Sequence, residues 1–152
     1  MKSSLFFSIS AFLLLTVLSS SVYSQGWWKF RGSGGWGHKG NYHRLYDTKT
    51  VETLSGTIME IDTITPLKGM SNGIHLMIKT DKEQISVHLG PAWYIDNQDI
   101  DLSKNDKVEV KGSRVTIDGK PVIITAELKR GDDTLKLRDD NGFPAWSGWR
   151  RR

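Results

Sequence analysis

From residue 51 to residue 137 apolar and polar side chains alternate with a period of two, the pattern of half-buried β-strands. Ile74, Leu76 and Ile78 share one face, with His75, Met77 and Lys79 on the other. Ile85, Val87 and Leu89 repeat the pattern, with Gln84, Ser86 and His88 facing away. A turn centred on Asp81 and Lys82 pairs Ile78 with Ile85, Leu76 with Val87 and Ile74 with Leu89. Every inward residue then meets an inward residue, as a hairpin register requires. The same register sets His75 opposite His88 on the outward face.

A second hairpin turns at Asp118-Gly119, a pair suited to the positive φ of a tight turn. Val115 and Ile117 precede it, and Val122, Ile124, Ala126 and Leu128 follow it. Upstream, Val108 and Val110 have the opposite parity, so a bulge or sharp bend is expected beside Gly112. Leu54 and Ile58 slip against Met59 and Ile61 in the same way, with Gly56 nearby. Pro91 opens a segment, residues 91–95, predicted as one helical turn. Residues 134–138 can add a sixth short strand. These elements predict an all-β chain, a small five- to six-stranded OB-like barrel with a short helical turn after strand 3. An SH3-like barrel is the rival arrangement.

Residues 1–24 read as a signal peptide. Lys2 gives a basic start, residues 5–18 are an apolar run, and Val22-Tyr23-Ser24 offers small or modest side chains before a cut. The run is shorter than the roughly 20 residues that span a bilayer, and no later segment is apolar enough to cross. The expectation is an exported, periplasmic or otherwise extracytoplasmic protein without a transmembrane segment after cleavage. The chain has no cysteine, which excludes disulfides, thiolate zinc sites, thiol catalysis and c-type haem attachment.

Charge and indole divide the mature chain further. Residues 25–50 form a Gly/Trp-rich arm, basic as far as Tyr46, with six glycines between Gly26 and Gly40 together with Trp27, Trp28, Phe30 and Trp36. Residues 51–138 form the barrel, and residues 139–152 an aromatic and basic tail ending Trp149-Arg150-Arg151-Arg152. From Asp47 to Trp149 there are 13 basic and 17 acidic residues, a balance of −4. A barrel that gripped phosphates along its own face would be basic there, so nucleic acid is an unfavoured partner.

Three stretches carry a resemblance: LGPAWYI at residues 89–95, VKGSRVTIDGKPVII at 110–124 and LKLRDDNGFPAWSGWR at 135–150. They resemble small exported bacterial OB-fold proteins often labelled as DNA-binding, and are similar to the small domain of magnetosome-associated proteins. The whole chain also resembles the tubule-inducing small subunit that accompanies some nitrite oxidoreductases. The resemblance implies a fold and a role class, that of a subunit organising a filament or an extracytoplasmic redox complex. It brings no catalytic residues.

No residue set predicts an enzyme or a cofactor. Gly32-x-Gly34-x-x-Gly37 follows no strand and opens no helix, so it lacks the context of a dinucleotide fingerprint. Arg130-Gly131-Asp132 reads as a turn. His75 and His88 are weak metal candidates, because two imidazoles do not complete a site; His38 and His43 in the arm are weaker still. Trp27, Trp28, Trp36, Trp146, Trp149, Arg150, Arg151 and Arg152 are the predicted interaction residues, Trp and Arg being enriched among those that dominate interfaces. In the other reading Trp146 caps the barrel. The expected function is a non-catalytic module for protein–protein assembly, with protein partners or a homo-oligomer. The alternatives are a ligand-binding OB module, for single-stranded nucleic acid, a glycan or another periplasmic ligand, and a membrane-surface role.

Overall fold

A computed structural model describes residues 34–147. Six strands follow in order: β1 (Val51–Ile64), β2 (Gly73–Lys79), β3 (Gln84–Pro91), then after a four-residue helix α1 (Ala92–Ile95), β4 (Lys107–Ile117), β5 (Lys120–Arg130) and β6 (Asp133–Lys136). The sheet runs β3-β2-β1-β4-β5-β6, and a further parallel pairing of β3 with β5 closes strands β1 to β5 into a ring. The small all-β barrel with a helical turn after its third strand is therefore observed. Among the described residues no helix is long and apolar enough to cross a membrane.

Alternation, shifted in phase by bulges in β1 and β5, explains the core, and in β5 it is Ile123 rather than Ile124 that shares the inner face with Leu128. Ile58, Leu76, Ile78, Val87, Val110, Ile123 and Leu128 point inward from five strands and lose essentially all solvent contact. Burying side chains of this size contributes about 1.5–3 kcal/mol each before conformational entropy is set against it.

Both hairpins hold, with one slip. Asp118 and Gly119 adopt φ of 51° and 75°, and Val115 pairs with Val122. Register shifts fall opposite Lys111/Gly112, where the extra residue is Ala126 of the partner strand β5, and between Ile58 and Glu60 in β1, where it is Met59. A Cβ on Gly112 would press into the Ile124 carbonyl, which explains why glycine sits at that bend. In the β2–β3 hairpin, Ile78 meets Ile85, Leu76 meets Val87 and His75 meets His88. The expected pairing of Ile74 with Leu89 does not form. Ile74 faces Gly90, because a bulge inserts Leu89 as an extra residue.

β1 spans 14 residues and serves two partners. Residues Val51 to Thr57 pair with β4, and Thr57 to Ile64 with β2. Arg114 on β4 clamps this corner by donating to Glu52 of β1 at 2.7 Å and to Glu83 beside the β2–β3 turn at 2.5 Å.

Candidate functional site

The outward face of β2 and β3 carries an aromatic clasp made by the chain's own flanking segments. Gly73 and Gly90 leave slots on neighbouring strands. A Cβ on Gly73 would strike the Trp36 indole, and one on Gly90 would come within 2.8 Å of Trp146. The two indoles meet edge to face with centroids 6.3 Å apart. Their N–H groups are satisfied on the spot: Trp36 Nε1 donates to the Ser71 carbonyl at 3.0 Å, and Trp146 Nε1 to the Trp36 carbonyl at 2.8 Å.

Trp36, expected as a projecting contact residue, and Trp146, for which packing back onto the barrel was the other reading, are thus core residues, 0% and 3% exposed. The physical reason lies in the two glycines. They remove side chains from β2 and β3 where flat rings lie down, and each ring then removes a large apolar area from water. The arm from Trp36 onward and the tail as far as Trp146 consequently pack on the barrel. Trp27, Trp28, Trp149, Arg150, Arg151 and Arg152 lie outside the described residues.

Tyr42 extends the clasp. Its ring lies 4.8 Å from Trp36 and stacks near His88 at 6.0 Å. Its hydroxyl is 3.1 Å from His88 Nδ1. Burial pushes the Tyr42 hydroxyl well above the usual phenol range, so it remains protonated and donates to a neutral imidazole. His88 is only 1% exposed. Burial, and then the charge of His75, lowers its pKa to about 4.

The two histidines are paired as expected, their rings stacked at 6.1 Å, but His88 is no surface residue because Tyr42 roofs it. Asp62 of β1 stands opposite His75 across the ladder, a neighbour that sequence spacing did not reveal. Burial lowers the His75 pKa, while Asp62 and Glu60 push it back up. Among the described residues no group of three or more His, Asp or Glu is placed to hold a metal ion.

Arg138 is the residue that sequence reading missed. It is 7% exposed and lies between two ring faces, 5.3 Å from the Tyr46 centroid and 5.2 Å from that of Trp146. One guanidinium nitrogen donates to the Gly142 carbonyl at 2.9 Å and lies 3.1 Å from His43 Nδ1. Burial depresses its pKa, yet an arginine keeps its proton, so π faces and a carbonyl compensate the charge. Burial, then Arg138, then His38 lower the His43 pKa, which keeps that imidazole free to accept. Phe143, at 45% exposure, stacks on His38 at 4.8 Å.

The clasp can hold and cover; the hydroxyl it sets beside an imidazole, Tyr42 on His88, is buried away from solvent. A separate open depression of about 490 Å³ lies between Ser55, Gly56, Lys107, Glu109 and Lys129.

Residues 50–135, more than half of the chain, match the MamS/MamX magnetosome protein family. The chain belongs to that family. The expected similarity to magnetosome-associated proteins is therefore met. No curated protein matches the chain. The MamS/MamX match covers the barrel from the start of β1 into β6 and includes Asp62, His75 and His88. Trp36, Tyr42, Arg138 and Trp146 lie outside it, so the clasp is built by segments flanking the family region.

Proposed function

We propose that this MamS/MamX family member is an exported, non-catalytic module with an OB-type barrel, and that it assembles with protein partners, copies of itself included, through its two chain ends. The strand ring β1-β2-β3-β5-β4, with the helical turn between β3 and β4, supports the OB reading. One observation carries the functional part. The barrel face on which OB folds commonly take a ligand is occupied by the chain's own Trp36, Tyr42 and Trp146. Contacts with other molecules then fall to the outer surface and to the ends. Membership in a magnetosome protein family agrees with a structural or assembly role.

Charge supports the same reading. The barrel region is acidic on balance, while Lys29, Arg31 and Arg150 to Arg152 supply cations at the ends. A contact between the end of one copy and the barrel of the next is heterologous, so it closes a ring or grows a filament.

The test compares residues 25–152 with residues 34–147 by multi-angle light scattering. The shorter chain retains the whole clasp, so its fold is preserved. The longer chain should form particles heavier than one chain, and the shorter should not. Equal single-chain masses for both would overturn the proposal. Amino-terminal sequencing of the exported protein should begin at Gln25.

A further inference from the structure

Beyond Thr57, β1 loses its β4 partner and continues to Ile64 paired with β2 alone. Ile58 still uses its outer backbone groups on the loop before β4, accepting from Asn105 N at 2.8 Å and donating to the Asp106 carbonyl at 2.9 Å. From Glu60 to Thr63 the side facing away from β2 has no strand against it among the described residues, and the Thr63 N–H donates only to the neighbouring Asp62 carboxylate, at 2.8 Å. All four residues are exposed, and Ile61 is one of two large apolar side chains left at the surface among the described residues, at 40%. Along this edge Ile61 and Thr63 alternate with the carboxylates Glu60 and Asp62.

Edge strands template pairing with another chain, and charge on an edge selects against a strand of like sign. Two carboxylates on four residues repel an identical acidic edge. They leave the edge open to a strand that alternates bulky apolar with basic residues. Trp28-Lys29-Phe30-Arg31 of this same sequence has that alternation. Laid beside Glu60 to Thr63, it would set two rings against the Ile61 face and two cations against Glu60 and Asp62. Tyr42, His75 and His88 lie on the Asp62 side of the sheet, so the clasp bounds the edge without covering it.

We propose that the free edge of β1, Glu60 to Thr63, is an acceptor for the Trp28–Arg31 segment of a second copy. The proposal rests on the assembly reading above and names the surface it uses. Head-to-tail addition of this kind leaves one edge and one segment unused at the two ends of each particle, so growth continues.

The experiment uses the mature chain, residues 25–152, and three variants: Glu60→Lys with Asp62→Lys, Lys29→Glu with Arg31→Glu, and all four together. Glu60 and Asp62 are exposed, so their exchange should leave the circular dichroism unchanged. Each double variant should fall to the mass of a single chain, and the fourfold exchange should restore particle growth. A labelled peptide of residues 25–33 should bind residues 34–147 at least tenfold more tightly than its Lys29→Glu, Arg31→Glu counterpart. Full assembly by the Glu60→Lys, Asp62→Lys chain, with loss on trimming residues 25–33, would overturn the edge assignment and leave the assembly reading intact. A single-chain mass for the unaltered mature protein at all concentrations would overturn both.

Discussion

His88 makes the fold sensitive to acid, and the size of the effect follows from its surroundings. Its imidazole lies between His75 of β2 and the Tyr42 hydroxyl, with no carboxylate against it. In the folded protein it resists protonation down to a pKa of about 4, against an ordinary 6.5. At 1.36 kcal/mol per pH unit, protonating it in place costs about 3 kcal/mol. The folded pKa is depressed, so the unfolded chain binds the proton first. Stability is therefore unaffected above about pH 6.5, falls as pH drops from 6.5 towards 4, and falls no further on this account below 4. Domains of this size have only about 5–15 kcal/mol to lose, so the loss is readily measured.

The control is His88→Asn, whose side-chain oxygen can still accept from Tyr42 and does not titrate. Urea unfolding followed by tryptophan emission at pH 7.5, 6.0, 5.0 and 4.5 gives both slopes. The unaltered protein should lose about 2.5 kcal/mol more than the variant across that range, the remainder falling below pH 4.5. His43, also depressed by burial, adds a loss of the same sign to both proteins and cancels in the comparison, whereas the His75 charge that helps to depress His88 is part of the difference measured. Glu83, held down by its bond from Arg114, remains in both as well. Parallel slopes would refute the claim that His88 is buried and neutral.

Gly90→Ala should unseat Trp146 and cost about 1–3 kcal/mol as an overpacked contact, with red-shifted tryptophan emission; an unchanged spectrum would place the indole elsewhere. Arg138→Met keeps the bulk but strands the Gly142 carbonyl and removes both ring contacts. A loss of about 2–4 kcal/mol in thermal or urea unfolding is expected, with Arg138→Lys between the two.

The sequence revealed the strands because alternation, turn pairs and parity breaks are local signals. Asp118-Gly119 marked one hairpin, and the phase change at Gly112 announced a bulge that falls across from it, at Ala126 of β5. Leu89 was misplaced because its bulge answers to the packing of Gly90 under Trp146, a contact between distant parts of the chain. Trp36 resembled an arm residue for a similar reason. Glycines around it argued for an unstructured segment, while the glycine that matters is Gly73, far along the chain on β2. Arg138 left no trace in the pattern. A basic residue at the end of a predicted strand reads as solvent-facing, and only the closure of Tyr46 and Trp146 around it makes it interior. His88 alternated as an outward residue should; what roofs it comes from outside the strand pattern.

The bond from the Trp146 indole to the Trp36 carbonyl joins residues 110 positions apart. The roof over β2 and β3 thus cannot close until the stretch beyond β6, as far as Trp146, has been made. A nascent chain halted after β6 would have its strands but an empty Gly90 slot and an exposed Trp36. Synthesis of that stretch is recorded in a single contact, and its loss would present a greasy, unfinished surface to whatever surveys new proteins.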